Sequence, residues 1–167
     1  MYKNRGMLLE TILNKTINYY WSNNIAYIEK KQVPITFKSI SNLNGKLSLD
    51  NAVVSSKSTV DYIGCYNGAF LAFEAKSTNS EKLEISNIKD HQVEYLNLIH
   101  KSGGYALFVI FFSKYNEFYI LPINVYHRLI SKNPRSITKE DIKKYSINVE
   151  VTFPGILDFL PLIKFLI

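Results

Sequence analysis

The stretch STVDYIGCYNGAFLAFEAK, residues 58–76, decides the reading of this chain. At its centre Asn67-Gly68 is the strongest short-range signal for a two-residue hairpin turn, because both residues accept the positive φ such a turn requires. With that turn Tyr66 pairs with Ala69, and counting outward sets Ile63 opposite Ala72, Tyr62 opposite Phe73 and Asp61 opposite Glu74. A four-residue loop closed by Cys65 and Phe70 leaves the same register. One step further along that face, Thr59 falls opposite Lys76.

Directly opposed residues share a face, with Cβ atoms roughly 4.5–5.5 Å apart. Two carboxylates so placed repel, and a sheet gains no stability from keeping them together. A divalent cation removes the conflict, since hard oxygen ligands at that separation suit Mg2+. Lys76, two residues beyond Glu74, points the same way and is placed to meet an anionic substrate or to position a water. Asp61, Glu74 and Lys76 also fit an exposed hairpin that merely carries two acids and a lysine. The flanking sequence must decide between the two.

The chain has 167 residues, 47% of them hydrophobic and 20% charged. That is enough for one compact α/β domain with a substantial core and argues against extensive disorder. A single cysteine, Cys65, excludes an intramolecular disulfide, a multi-cysteine zinc site and an iron–sulfur cluster. On the hairpin it is expected to be a small packed residue. No secretory leader is recognisable, and the apolar tail from residue 153 is interrupted by Pro154, Asp158, Pro161 and Lys164. No membrane span is expected, and the expected location is the cytoplasm.

Charge is unevenly spread. Residues 1–57 hold eight basic and three acidic side chains, 58–120 five and seven, and 121–167 seven and four. An acidic centre between basic flanks is what a metal-dependent enzyme acting on a polyanion requires: carboxylates for the cation, Lys and Arg outside them for phosphates. An ordinary, moderately basic protein would have the same net charge of +6.

Around the hairpin, periodicity predicts a helix over residues 7–21, with Glu10 at the margin of its apolar face. Glu10 is either a surface residue or a carboxylate reaching the site. A strand at 25–31 follows. Residues 35–57, rich in Ser and Asn and bearing Lys38, Lys46 and Lys57, form either a floppy loop or a long projecting hairpin; an irregular segment of that length is usually functional or disordered. After the hairpin a helix is predicted over 88–101, capped by Asn87 and ended by Gly103-Gly104. Leu98, Tyr95, Ile88, Ile99 and Leu96 line its apolar arc. Gln92 lies inside that arc, either as a satisfied core amide or aimed at the site. The unbroken apolar run 105–112 reads as a central strand covered on both faces. Another strand at 117–121 and short helices at 122–130 and 138–145 complete the order, with Ser136 or Thr138 as caps.

Helix, strand, hairpin carrying D…E-x-K, helix, strand is the order of a restriction-endonuclease-like nuclease core. Within that superfamily the chain resembles the bacterial RecU Holliday junction resolvases. The resemblance rests on Asn4-Arg5-Gly6-Met7 before a helix with Glu10 and on Lys30-Lys31-x-x-Pro34. It rests equally on Ser58-Thr59-Val60-Asp61-Tyr62-x-Gly64, Phe73-Glu74-Ala75-Lys76, Asp90-His91-Gln92 and the apolar strand, running in order over residues 4–130. It implies an α/β fold, a mixed central β-sheet flanked by helices, in a single nuclease domain over 1–167 whose residues 35–57 project as a stalk. It also implies a homodimer that binds four-way junction DNA in recombination and repair, with recombination proteins as further partners, and nicks it with Mg2+ or, in substitution, Mn2+. By motif match Asp61 and Glu74 become metal ligands, Lys76 the catalytic lysine, and Thr59, Gln92 and Glu10 supporting residues. The absence of a basic N-terminal extension and the few cations of the stalk depart from many members; both are expected to weaken junction affinity without touching the chemistry.

The reaction expected is phosphodiester hydrolysis without a covalent nucleophile, with Arg5, Lys30, Lys31, Lys38, Lys46 and Lys57 on DNA phosphates. Phosphate contacts position a substrate and read no sequence. Alternatives are a restriction-like or repair endonuclease of the same fold, which would cut linear duplex, and a non-catalytic DNA-binding module, which the complete Asp, Glu and Lys set argues against. Nothing resembles an RNA-binding module.

Overall fold

The computed structural model describes residues 5–56 and 58–164. Helix α1 (Arg5–Ser22) buries Leu9, Leu13, Thr16, Ile17 and Tyr20, whose spacing of three and four residues makes one apolar stripe. It stops where Asn24 adopts a left-handed φ of 55° and the amide of Ile25 donates back to the carbonyl of Tyr20 at 2.9 Å. Leu13 is wholly buried, a contribution of about 1.5–3 kcal/mol from burial alone.

Strand β1 (Tyr27–Lys30) follows. Four short strands then form the excursion at 35–54: β2 (Ile35–Thr36), β3 (Ser39–Leu43), β4 (Lys46–Asp50) and β5 (Val53–Val54). They pair as an antiparallel ribbon, β2 with β5 and β3 with β4, closed by Asn44-Gly45 at φ 54° and 77°. Residues 35–54 therefore form a projecting hairpin, and nearly every residue of it is exposed. The turn at its tip is the same Asn-Gly pair that marks the central hairpin. Lys57 lies outside the described residues.

The central hairpin is β6 (Tyr62–Tyr66) and β7 (Ala69–Thr78), turning at Asn67 and Gly68 with φ 49° and 79°. Its register, Tyr66↔Ala69 through Ile63↔Ala72 to Tyr62↔Phe73, is the one expected. Beyond it run β8 (Lys82–Glu84), α2 (Asp90–Lys101), β9 (Tyr105–Phe112), β10 (Glu117–Pro122), α3 (Ile123–Ile130), β11 (Ser136–Thr138), α4 (Lys139–Tyr145), β12 (Ile147–Val149), β13 (Val151–Thr152), β14 (Ile156–Leu157) and α5 (Leu160–Ile163). The main sheet has the order β1-β6-β7-β9-β10-β12. Among the described strands β7 and β9 alone pair in parallel, joined through α2, since a parallel pair needs a crossover connection. All eight residues of β9 are buried, because helices cover both faces at the centre of the sheet.

Two cores result. On one face α1 and the C-terminal segment meet Leu71, Phe73, Leu107 and Val109; on the other α2, α3 and α4 meet Ala72, Phe108 and Ile110. The apolar tail is part of the first core: Leu157, Phe159 and Leu160 are buried against α1. The hydroxyl of Tyr20 donates to Asp158 Oδ1 at 2.9 Å and accepts from the amide of Phe159 at 3.0 Å. Among the described residues no helix is long and apolar enough to cross a membrane.

Three local expectations are corrected. Helix α2 begins at Asp90, and Asn87 lies in a short 3-10 turn before it, so Lys89 takes the N-cap position. Leu98 is 60% exposed and leaves the apolar arc, since α2 packs mainly over β7 and β9 through the side that carries Leu96. Cys65 is exposed instead of packed: in the register it lies between Tyr27 and Phe70, themselves exposed.

Candidate active site

The site lies where β6 and β7 part. Their ladder ends at Tyr62↔Phe73, whose rings stack with centroids 4.7 Å apart. At the next step side chains take over the bonding: the amide of Asp61 donates to Glu74 Oε2 and the amide of Ala75 donates to Asp61 Oδ2, each at 3.0 Å. The main chain of Asp61 is held from the other side by the amide of Lys31, 2.8 Å from its carbonyl. The two carboxylates thus sit side by side in crossed bonds to each other's strand. Gly64 permits β1 to lie close against β6, since a Cβ there would lie 2.1 Å from the carbonyl oxygen of Tyr27.

Glu74 is 2% exposed. Its Oε1 accepts from Lys76 Nζ at 2.7 Å and from Gln92 Nε2 at 2.6 Å, and Lys76 Nζ also reaches Gln92 Oε1 at 3.3 Å. Gln92 Oε1 accepts from the amide of Lys89 at 3.0 Å as well, so one side chain caps α2 and completes the site. Of its two sequence readings, the one aimed at the site is realised. The late start of α2 makes Gln92 the third helical residue, where a side chain turns back toward the helix entrance.

Burial pushes the Glu74 carboxyl up to about 7, the negative charge of Asp61 adds to the rise, and the Lys76 ammonium opposes it. A buried carboxyl raised in this way resists taking on its own charge beside a second carboxylate, a cost that a bound cation would relieve. Asp61 also lines a small cleft of about 180 Å3 with Glu10, Lys30, Tyr62, Ala75 and Ser77. Within the described residues, Ser77 Oγ is buried without a hydrogen-bond partner. No group of three or more His, Cys, Asp or Glu side chains is gathered for a metal among the described residues. Two carboxylates with oxygen donors around them fit a hard divalent ion that keeps part of its shell as water, better than a soft transition metal.

The other sequence candidates divide. Glu10 stands at the cleft and accepts from Lys30 Nζ at 2.5 Å. Thr59 lies before β6 and accepts from Lys31 Nζ at 3.1 Å. Lys31 is half-buried, its ammonium also 5.9 Å from the Tyr95 ring, so it braces Thr59 against α2. Lys38 and Lys46 are exposed on the projecting ribbon, away from the acids. Arg5 opens α1, its side chain outside the described part. The partnerless hydroxyl of Ser77 was not anticipated, and a serine after E-x-K carries no signal in sequence.

The mixed sheet, whose central hairpin carries Asp and Glu-x-Lys and is preceded by a helix and strand and followed by a helix and strand, has the element order expected of a restriction-endonuclease-like core. The chain belongs to the RecU family: the family model described as Recombination protein U matches residues 4–165. The Holliday junction resolvase RecU of Mycoplasmopsis pulmonis is 42% identical over 165 residues, covering 99% of this chain and 97% of the relative. That of Ureaplasma parvum serovar 3 is 36% identical over 166 residues, covering 97% and 93%. Among solved structures, Hjc, a Holliday junction resolvase of Archaeoglobus fulgidus, has a TM-score of 0.49 and 11% identity, over 83% of this chain and 93% of that one.

Proposed function

We propose that this protein is a metal-dependent endonuclease that resolves four-way DNA junctions by phosphodiester hydrolysis, with Mg2+ as its ion and Mn2+ as a substitute. The observation that carries the reading is the interlocked pair Asp61 and Glu74, closed by Lys76 and Gln92, in a chain of the RecU family. Asp61 and Glu74 hold the cation. When bound, it polarises the scissile phosphate and lowers the pKa of a water. Gln92 keeps Glu74 in one orientation. Lys76 then orients the attacking water or offsets charge gathering on the phosphoryl oxygens. Glu10 and Thr59 support the site through Lys30 and Lys31.

The chain acts as one nuclease domain with the ribbon at 35–54 as its stalk, and it works as a homodimer in the cytoplasm. Two sites at fixed separation cut two strands, and a stalk that fits open branch points supplies selectivity for shape. Arg5, Lys30, Lys31, Lys38, Lys46 and Lys57 meet phosphates, and recombination proteins are further partners. The test is incubation of labelled four-way junction and linear duplex with and without Mg2+. Paired nicks in the junction alone, dependent on the ion, are expected. Equal cutting of linear duplex, or cutting without any divalent ion, overturns the reading.

A further inference from the structure

Three cations converge on one half-buried ring outside the candidate site, that of Tyr145. Arg128, in the last turn of α3, has its Cζ 4.9 Å from the centroid of Tyr145. Lys132 Nζ, just after α3, stands 5.3 Å from it, and Lys144 Nζ, in the last turn of α4, stands 5.2 Å from it. All three residues are exposed. The ion pairs among the described residues engage Lys30, Lys76, Lys82, Lys114 and Lys139, and none engages these three. Helix C-termini favour a cation each, which accounts for Arg128 and Lys144 separately. It does not account for Lys132 reaching the same ring. An exposed cation–ring contact contributes only about 0.5–1 kcal/mol, against repulsion among three like charges. Several phosphates lying across the cluster would remove that repulsion.

The position of the cluster narrows what it meets. Tyr126 and Leu129 of α3 and Ile142 of α4 pack in the same core as Leu96 of α2 and Ala72 of β7, so the patch stands on the face from which Glu74 and Lys76 project. Helix α3 rests on β9 and β10, with β10 two strand spacings, about 10 Å, beyond β7, the strand bearing Glu74. We infer that Arg128, Lys132 and Lys144, gathered around Tyr145, form a second phosphate-binding surface that holds the backbone of a duplex arm flanking the cut. The inference rests on the proposed nuclease reading and adds where the uncut arm lies.

The test measures binding of the full chain in EDTA, so that no cutting intervenes, to junctions with long and with short arms over a range of KCl. Each phosphate contact contributes about 0.9 to the slope of log affinity against log salt. The variant Arg128→Gln/Lys132→Gln/Lys144→Gln is expected to lower that slope by about two to three on long arms, weaken binding there at least about tenfold near physiological salt, and change short-arm binding little. Lys132→Gln alone, outside both helices, is expected to lower the slope by about one; this keeps the test open if the triple variant fails to fold. An unchanged slope, or equal losses on both arm lengths, overturns the inference. So does a polyglutamate peptide that binds wild type but not the variant while DNA binding is equal, since the surface then serves an acidic protein. Wild type that binds and cuts junctions, with the slope unmoved in the variants, defeats this inference alone. Wild type that neither binds nor cuts them defeats the nuclease reading first.

Discussion

Glu74 concentrates the chemistry of the molecule in one carboxyl group. It holds its proton up to about pH 7, against 4.5 for an ordinary glutamate, because of burial first and Asp61 second. The folded chain therefore binds this proton more tightly than the unfolded chain. The resulting stabilisation is complete below about pH 4.5 and is lost as pH rises through 7, up to about 3 kcal/mol. Melting of the metal-free protein at pH about 5 and about 8 is expected to show that loss, and Glu74→Gln is expected to remove most of it. A variant that retains the full pH dependence would place its origin elsewhere. Asp61→Asn and Glu74→Gln are both expected to abolish junction cleavage and leave junction binding largely intact, as gel shift and nicking assays would show; normal cleavage by either refutes the site. Gln92→Leu removes three bonds at once, to Glu74, to Lys76 and to the amide of Lys89. Its expected effects are a loss of about 1–2 kcal/mol in thermal stability from the uncapped helix and a fall in cleavage rate of at least about tenfold. Unchanged kinetics would reduce Gln92 to a cap.

The projecting ribbon is the element whose removal the fold should tolerate. Among the described residues, the strands of 35–54 pair with one another alone, and Ile40, Leu43 and Leu47 are 54%, 67% and 77% exposed, so little core is lost with them. Loop-closure entropy changes slowly with length. Replacing residues 39–51 by a short Gly-Ser turn is expected to leave melting within about 1 kcal/mol of wild type and divalent-ion binding intact. Four-way junction affinity is expected to fall at least about tenfold, some 1.4 kcal/mol, with a much smaller change for linear duplex. Anisotropy titrations against both DNAs check this, and equal losses on both, or none on either, would make the ribbon an ordinary surface loop.

Across the whole molecule, one chain presents one such pair of carboxylates where its two central strands part, whereas resolving a junction takes two symmetric cuts. A twofold homodimer is therefore expected, the commonest arrangement of soluble oligomers. Trp21 and Tyr27, stacked with centroids 5.6 Å apart and about half exposed, stand beside exposed Cys65 and Phe70 on neighbouring strands. Sedimentation at micromolar concentration is expected to give a dimer, and a fully active monomer would overturn the arrangement.

Local chemistry made much of this legible from residue order. Asn67-Gly68 determined the turn, the turn determined the register, and register alone brought Asp61 beside Glu74, because pairing in a hairpin counts outward from its turn. The eight apolar residues of β9 announced a strand covered on both faces. The same turn chemistry stood at Asn44-Gly45 and would have settled the ribbon, where polar composition suggested a floppy loop as readily as a hairpin. Only the tertiary structure could decide that the strands part at Asp61, that Gln92 turns to Glu74, and that Thr59 meets Lys31. It also decided that three distant cations share the ring of Tyr145. Those outcomes depend on where α2 begins and how helices lie across the sheet, and packing between elements remote in sequence leaves no periodic trace in the chain.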